Sequence, residues 1–96
     1  ETMKKSINPQ VMEIQKRFFT AIQMAKEVGR TTGLKSFCED HNLNLVKYYR
    51  VKGGLGKPIE EMHYKSIDID ALLYVCHDFG VSTDWLLLGR GKLEIK

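Results

Sequence analysis

Hydrophobic residues recur at intervals of three and four along the first third of the chain. They are Val11, Ile14, Phe18, Ala21, Ile22, Ala25 and Val28. This spacing places apolar side chains on one face of an α-helix. Asn8 suits the N-cap and Pro9 the first helical position, while Gly29 suits the end of the helix. The pattern therefore predicts one long amphipathic helix that packs on a core.

Two shorter helices are predicted next, with a tight turn between them. They run from about Leu34 to His41 and from about Leu45 to Lys52, where Gly53 and Gly54 are predicted to stop the second. Asn42 can adopt the left-handed conformation of the turn, and Asn44 can cap the helix that follows. The buried positions are predicted to be Leu34, Phe37, Cys38 and His41 in the first, Leu43 in the turn, and Tyr48 and Val51 in the second.

The second half of the chain predicts a loop and two more helices. Residues 53–67 carry three glycines and a proline, a composition typical of loops. A fourth helix is predicted from about Asp68 to Phe79, and Ser82 is predicted to cap a short fifth helix that ends at Gly89. The predicted buried positions of the fourth helix are Ile69, Leu72, Val75, Cys76 and Phe79.

These elements predict a single all-α domain, since a chain of 96 residues allows one core. We expect a flexible N-terminus over residues 1–8, the compact five-helix domain over residues 9–91 and a tail over residues 92–96. The mean hydropathy of −0.30 with 43% hydrophobic residues is typical of globular proteins and excludes a disordered or membrane-spanning chain. Two cysteines are too few for a disulfide framework, so reduced thiols and a cytoplasmic location are expected.

Positive charge is concentrated in the first half of the chain. Residues 1–54 carry ten lysines and arginines against five acidic residues, whereas residues 55–96 carry five against seven. A basic surface on one side of a small domain suits a polyanionic partner. The basic half could therefore face the phosphates of a nucleic acid while the acidic half faces away, and the alternative is a chance distribution of charge over a solvated surface.

The segment from Gly33 to Gly54 is the most informative part of the sequence. It combines two helices of about eight residues with a three-residue turn, which describes a helix-turn-helix. Its second helix leaves Leu45, Val46, Tyr49 and Arg50 on an exposed face. In such a motif the second helix enters the major groove of duplex DNA, which is wide enough for one α-helix.

Two segments also carry a resemblance to a known family. The first is the apolar and capping pattern of the motif, with Phe37, Cys38, Asn42, Leu43, Asn44, Tyr48 and Val51. The second is the ending FGVSTDWLLLGRGKL, from Phe79 to Leu93. Across roughly residues 11–91 the chain resembles the lambda-repressor-like helix-turn-helix family of phage-repressor or XRE type. The resemblance implies a sequence-specific, repressor-like transcriptional regulator that is prokaryotic or derived from a mobile element.

The resemblance also implies which residues contact DNA. Its base-contact positions fall on Leu45, Val46, Tyr49 and Arg50, and its phosphate contacts on Asn44, Lys47, Lys52, Lys35 and Arg17. Two positions depart from the family pattern. Leu34 stands where the family has a phosphate-binding glutamine, and Asn42 stands where it has a turn glycine. Double-stranded DNA and a second copy of the chain are the expected partners, because one short helix contacts few base pairs.

Other functions have weaker support in the sequence. Cys38, His41, Cys76 and His77 have spacings that zinc ligands can have, but three of them fall on apolar helix faces, so no metal is expected. A Cys and His pair could supply a nucleophile and its base, but the sequence shows no third orienting group and no obvious pocket, so no enzyme is expected. The glycines before Lys57 lack the strand and the Lys-Ser or Lys-Thr pair of a phosphate-binding loop.

The alternative to DNA binding is a protein-interaction module. On that hypothesis the exposed apolar residues Leu45, Val46 and Tyr49 would contact a protein partner. Leu34 and the acidic Glu39 and Asp40 favour this hypothesis, whereas the basic first half favours DNA. No small-molecule substrate, cofactor or membrane partner is indicated by either.

Overall fold

The computed structural model describes residues 9–55 and 67–96, and all the regular secondary structure within them is helical. Four α-helices span Pro9–Glu27 (α1), Leu34–Asp40 (α2), Leu45–Gly54 (α3) and Ile69–Phe79 (α4), and a π-helical segment spans Asp84–Leu88. This confirms the all-α class and the order of the five elements. The predicted cap at Asn8, the N-terminal residues 1–8 and residues 56–66 of the predicted loop lie outside the described residues.

The core is built on the apolar face of α1. The ring of Phe18 is fully buried and meets the rings of Phe19, Phe37 and Tyr48 edge-on, at centroid distances of 5.0, 5.8 and 6.0 Å. Such arrangements bring the positive ring edge to a negative ring face. Phe18 thus joins α1 to α2 and α3 at the centre of the domain.

The predicted face of α1 is confirmed at its centre and wrong at its ends. Ala21, Ile22 and Ala25 are buried beside Phe18, whereas Val11 and Val28 are exposed. Both valines lie at the limits of the helix, where the apolar face is not covered. Phe19, outside the predicted stripe, is buried because α1 packs against several elements rather than one.

The turn between α2 and α3 has the predicted conformation. Asn42 has a φ of 56° in the left-handed region. The backbone N–H of Leu43 donates to the carbonyl of Cys38 at 2.8 Å, and Asn44 Oδ1 accepts a hydrogen bond from the backbone N–H of Lys47 at 3.1 Å. These contacts end α2 and cap α3, so the register of α3 is set by its first turn.

The predicted end of α3 at its two glycines is wrong. The helix continues through Gly53 and Gly54, and Gly54 is buried. Neither glycine has a positive φ. Glycine permits the left-handed conformation that stops a helix but does not impose it, so α3 is one half-turn longer than predicted.

The predicted face of α4 is confirmed at Val75 and Phe79 and wrong at its first position, Ile69. Leu72 and Cys76 are partly buried against the core. Ala71, Val75 and Phe79 are buried at intervals of four residues, whereas Ile69, predicted to be buried, is 83% exposed. Ala71 takes the inward position because α4 packs against α1, where a small side chain allows close approach. Helix α4 ends at Phe79 as predicted, and the Gly80 that follows has a φ of 68°.

The last residues close over the same core. Ser82 Oγ accepts a hydrogen bond from the backbone N–H of Trp85 at 3.3 Å, and Leu86 is buried. In the tail, Leu93 packs partly against the core and the N–H of Lys96 donates to the carbonyl of Phe79 at 2.7 Å. No strand occurs in the tail. None of the helices described here has both the length and the apolar character needed to cross a membrane.

Candidate nucleic-acid interface

Helix α3 presents a mixed apolar and basic surface to solvent. Val46 is 60% and Tyr49 is 51% exposed, and Arg50 is also exposed. We call these three residues the outer face of α3. Leu45, predicted to be exposed with them, is partly buried against the core because it lies in the first turn, next to the start of the helix. The outer face is therefore narrower than the sequence predicted.

The inner side of α3 is anchored to the start of α4. Tyr48 is fully buried, and its hydroxyl donates to Asp68 Oδ2 at 2.8 Å and accepts from the Asp68 backbone N–H at 3.1 Å. Lys47 Nζ donates to Asp68 Oδ1 at 3.1 Å. Three hydrogen bonds thus connect two adjacent residues of α3 with one residue of α4, and they limit rotation of α3 about its own axis.

The same contacts shift the acidity of both partners. The hydrogen bonds from Tyr48 and Lys47 hold the pKa of Asp68 below its ordinary value, because both stabilise the carboxylate. Burial raises the pKa of Tyr48 well above its ordinary value. Tyr48 is therefore a neutral hydrogen-bonding residue at physiological pH, and Asp68 is ionised.

Two of the predicted phosphate contacts are occupied within the protein. Lys47 forms the ion pair with Asp68. Arg17 donates from Nε to the carbonyl of Leu86 at 2.8 Å and from Nη2 to the carbonyl of Leu87 at 3.2 Å. Its guanidinium thus satisfies carbonyl groups of the π-helical segment. Arg17 has a structural role in this fold, which its basic character alone did not indicate.

The other predicted phosphate contacts remain on the surface. Lys35 and Lys52 are exposed and line a common groove with Tyr49. Asn44 is exposed, and its Oδ1 is used in the cap of α3. Its side-chain amide nitrogen is a donor that can bind a phosphate oxygen.

Sequence reasoning missed Lys26, which lines the same groove from α1. Lys26 follows Phe19 by seven residues and Ile22 by four, and both also line the groove. Residues at these intervals lie on one helix face. That spacing was the available signal, but it identifies a binding residue only when the position of α3 is known.

Cys38, Cys76 and His41 form packing contacts, whereas His77 is exposed. Cys38 is fully buried, and burial raises the pKa of its thiol to about 11. The His41 ring stacks on Tyr74 at a centroid distance of 3.9 Å, and its Nε2 lies 2.5 Å from Asp78 Oδ2. Across residues 9–55 and 67–96, no three His, Cys, Asp or Glu side chains are grouped as metal ligands would be. This cluster joins the end of α2 to α4.

Comparison of the chain with protein-family models, with curated proteins and with solved structures gave no match in any of the three.

Proposed function

We propose that this protein is a sequence-specific double-stranded DNA-binding protein of the lambda-repressor-like fold, in which α2 and α3 are the helix-turn-helix and α3 is the recognition helix. The observation that supports this most is the exposure of Val46, Tyr49 and Arg50 on a helix that is firmly anchored on its other side. Neighbouring apolar side chains exposed on one surface often mark an interaction site. A rigid helix with an exposed mixed face suits insertion into the major groove.

Each residue of the outer face has a chemical role in this proposal. Arg50 can donate two hydrogen bonds to the N7 and O6 acceptors of a guanine, and Val46 can pack on a thymine methyl group. Tyr49 combines an apolar ring with a hydroxyl donor. A good bidentate contact discriminates between bases by about 1–3 kcal/mol, which makes Arg50 the main specificity residue of the proposal.

Phosphate contacts would come from residues around α3. Asn44, Lys35 and Lys52 are exposed and need no rearrangement to donate to phosphate oxygens. Lys47 would have to exchange its ion pair with Asp68 for one with a phosphate. Contacts of this kind release counterions from DNA and make the affinity depend steeply on salt.

A homodimer completes the proposal. Leu87 and Leu88 are exposed on the π-helical segment, and Ile69 and Leu73 are exposed one turn apart on α4. Exposed leucine and isoleucine side chains are typical of surfaces that pack against another subunit. A two-fold dimer would present two copies of α3 to half-sites about one helical turn of DNA apart, as expected of a repressor-type regulator.

Protein binding is the second candidate function for the same face. It is favoured by the ion pair that neutralises Lys47 and by the apolar character of Val46 and Tyr49. On this alternative the outer face of α3 would pack against a partner helix, and the interaction would depend weakly on salt.

Fluorescence anisotropy with a labelled duplex of random sequence, measured at low and at physiological salt, separates the two functions. DNA binding predicts an affinity that falls steeply with salt and is weakened by Arg50→Ala. The matched control is Arg90→Ala, which removes the same charge from an exposed residue of the C-terminal segment. Absence of binding at low salt, or an equal effect of the two variants, would contradict the proposal. The first of these results would direct the search to a protein partner.

A further inference from the structure

Three lysines from three different helices line one groove on the surface of the domain. They are Lys26 of α1, Lys35 of α2 and Lys52 of α3, and the groove has a volume of about 180 Å³. Tyr49 and Thr32 also line it. The lysines are far apart in the sequence, so the tertiary fold alone brings their positive charges together.

The charges of these lysines are not neutralised within the described part of the chain. Lys16 pairs with Glu13 and Lys47 pairs with Asp68, but none of the groove lysines has a carboxylate partner among residues 9–55 and 67–96. Like charges that share a groove repel each other. An anion that binds between them relieves this repulsion, and the groove therefore favours a negatively charged ligand.

The groove is lined by buried apolar residues as well as by exposed lysines. Phe19, Ile22 and Leu34 are its buried lining residues. A Cβ built on Gly33 would lie 3.8 Å from Lys26 Cδ, so the stem of this lysine runs close beside the backbone that leads into α2. Lys26 as a whole is exposed, so its stem can lie along the protein surface while its ammonium group stays in water, as is common for lysines.

We propose that this groove binds one phosphate group, with the ammonium groups of Lys26, Lys35 and Lys52 donating to its oxygens. The proposal rests on the proposed function and deepens it: the phosphate belongs to the DNA backbone beside the base pairs that α3 contacts. Tyr49 lines the groove and also belongs to the outer face of α3, so a backbone phosphate there is adjacent to the bases. A free phosphate ester would offer the same oxygens to the same lysines.

The test replaces Lys26 with glutamine and measures the salt dependence of DNA binding. Lys26 is exposed on α1 and has no ion-pair partner among the described residues, so Lys26→Gln should leave the fold intact, which circular dichroism verifies. Because Lys35 and Lys52 would still contact the same phosphate, Lys26→Gln is expected to lower the slope of log affinity against log salt by up to about 0.9 and to weaken binding equally for all sequences. Lys92→Gln, an exposed lysine of the C-terminal segment, is the matched control and should leave the slope unchanged.

A second arm uses inorganic phosphate and separates failure of the groove from failure of the proposed function. Backbone amide shifts are followed by NMR during titration with sodium phosphate, against sodium chloride at equal ionic strength. If the chain binds DNA and Lys26→Gln has the slope of Lys92→Gln, the groove proposal is overturned and DNA binding stands. If the chain binds no DNA, shifts around residues 26, 35 and 52 that disappear in Lys26→Gln would identify a site for free phosphate esters. Absence of such shifts would then overturn the groove as well.

Discussion

Replacing Tyr48 with phenylalanine removes a single oxygen from the contact between α3 and α4. The ring itself is fully buried and lies edge-on to Phe18, so the variant keeps the packing of the core and creates no large cavity. The lost hydroxyl donates to Asp68 Oδ2 at 2.8 Å and accepts from the Asp68 N–H at 3.1 Å. Tyr48→Phe therefore tests how far this anchor stabilises the recognition helix.

The magnitude follows from the type and exposure of the two hydrogen bonds. A hydrogen bond to a charged group contributes about 1.5–3 kcal/mol, and a neutral one contributes about 1 kcal/mol. The side chain of Asp68 is 46% exposed, so water replaces part of what is lost. We expect the free energy of unfolding to fall by about 1–2 kcal/mol. In a domain of this size each kcal/mol lowers Tm by roughly 4–8 °C.

The effect should depend on pH because Asp68 is one of the partners. Hydrogen bonds from Tyr48 and Lys47 hold the pKa of Asp68 below its ordinary value. A carboxyl group of this kind stabilises the fold above its unfolded pKa of about 3.9, and the stabilisation is lost as pH falls through the folded pKa. The difference between wild type and Tyr48→Phe should be full at neutral pH and should shrink in acid.

Urea unfolding followed by circular dichroism at neutral and acidic pH measures both quantities. Tyr49→Phe is the matched control, since Tyr49 is half-exposed and its hydroxyl has no hydrogen bond among the described residues. A surface change of this kind alters stability by less than about 0.5 kcal/mol. The reasoning would be refuted if Tyr48→Phe unfolded at the same urea concentration as Tyr49→Phe. It would also be refuted if the difference in unfolding free energy between wild type and Tyr48→Phe stayed constant with pH.

Three further predictions concern the described residues. Although burial opposes its ionisation, hydrogen bonds from His41 and His77 hold the pKa of Asp78 below its ordinary value. Asp78→Asn should therefore lower the free energy of unfolding in urea by about 1 kcal/mol at neutral pH and by less in acid. An equal loss of stability at both pH values would contradict this. Gly80→Ala should lower the free energy of unfolding by about 1–2 kcal/mol, because Gly80 has a φ of 68° and the new Cβ would lie 2.6 Å from the Cβ of Lys96. An unchanged Tm in thermal unfolding would count against this. Asp68→Asn removes the ion pair of Lys47 and, on the proposed function, should raise DNA affinity several-fold in anisotropy assays. Asp70→Asn, the control that also removes one negative charge, should raise the affinity less.

Local sequence patterns predicted the helices and the turn because their causes are local. The left-handed conformation of Asn42 and the cap at Asn44 depend on residues within one turn of each other. The face of α4 was predicted less well. Apolar residues occur on both sides of that helix, and the small Ala71 adds little to a hydropathy pattern. Close packing against α1 decides that Ala71 points inward and Ile69 outward, and this is a tertiary effect.

The candidate site was predicted only in part for the same reason. Val46, Tyr49 and Arg50 follow from the period of α3, since that helix buries its other side. The contact between Lys47 and Asp68 spans 21 residues, and the convergence of Lys26 with the other groove lysines needs three helices in place. Charge counting places a basic surface in the first half of the chain but cannot say which cations are already paired.

Asp68 links the stability of the domain to the charge of its proposed DNA surface. One oxygen of its carboxylate accepts from Tyr48 and holds α3 in place, and the other accepts from Lys47 and removes a positive charge from the same helix. Because one carboxylate makes both contacts, the residue that fixes α3 in place also lowers the net positive charge of that helix. Lys35 and Lys52 have no ion pair among the described residues and line the groove. If the protein binds DNA as proposed, its phosphate affinity should therefore depend more on the groove than on Lys47. On the proposed function, α3 then contributes mainly sequence discrimination, and the groove contributes most of the salt-dependent affinity.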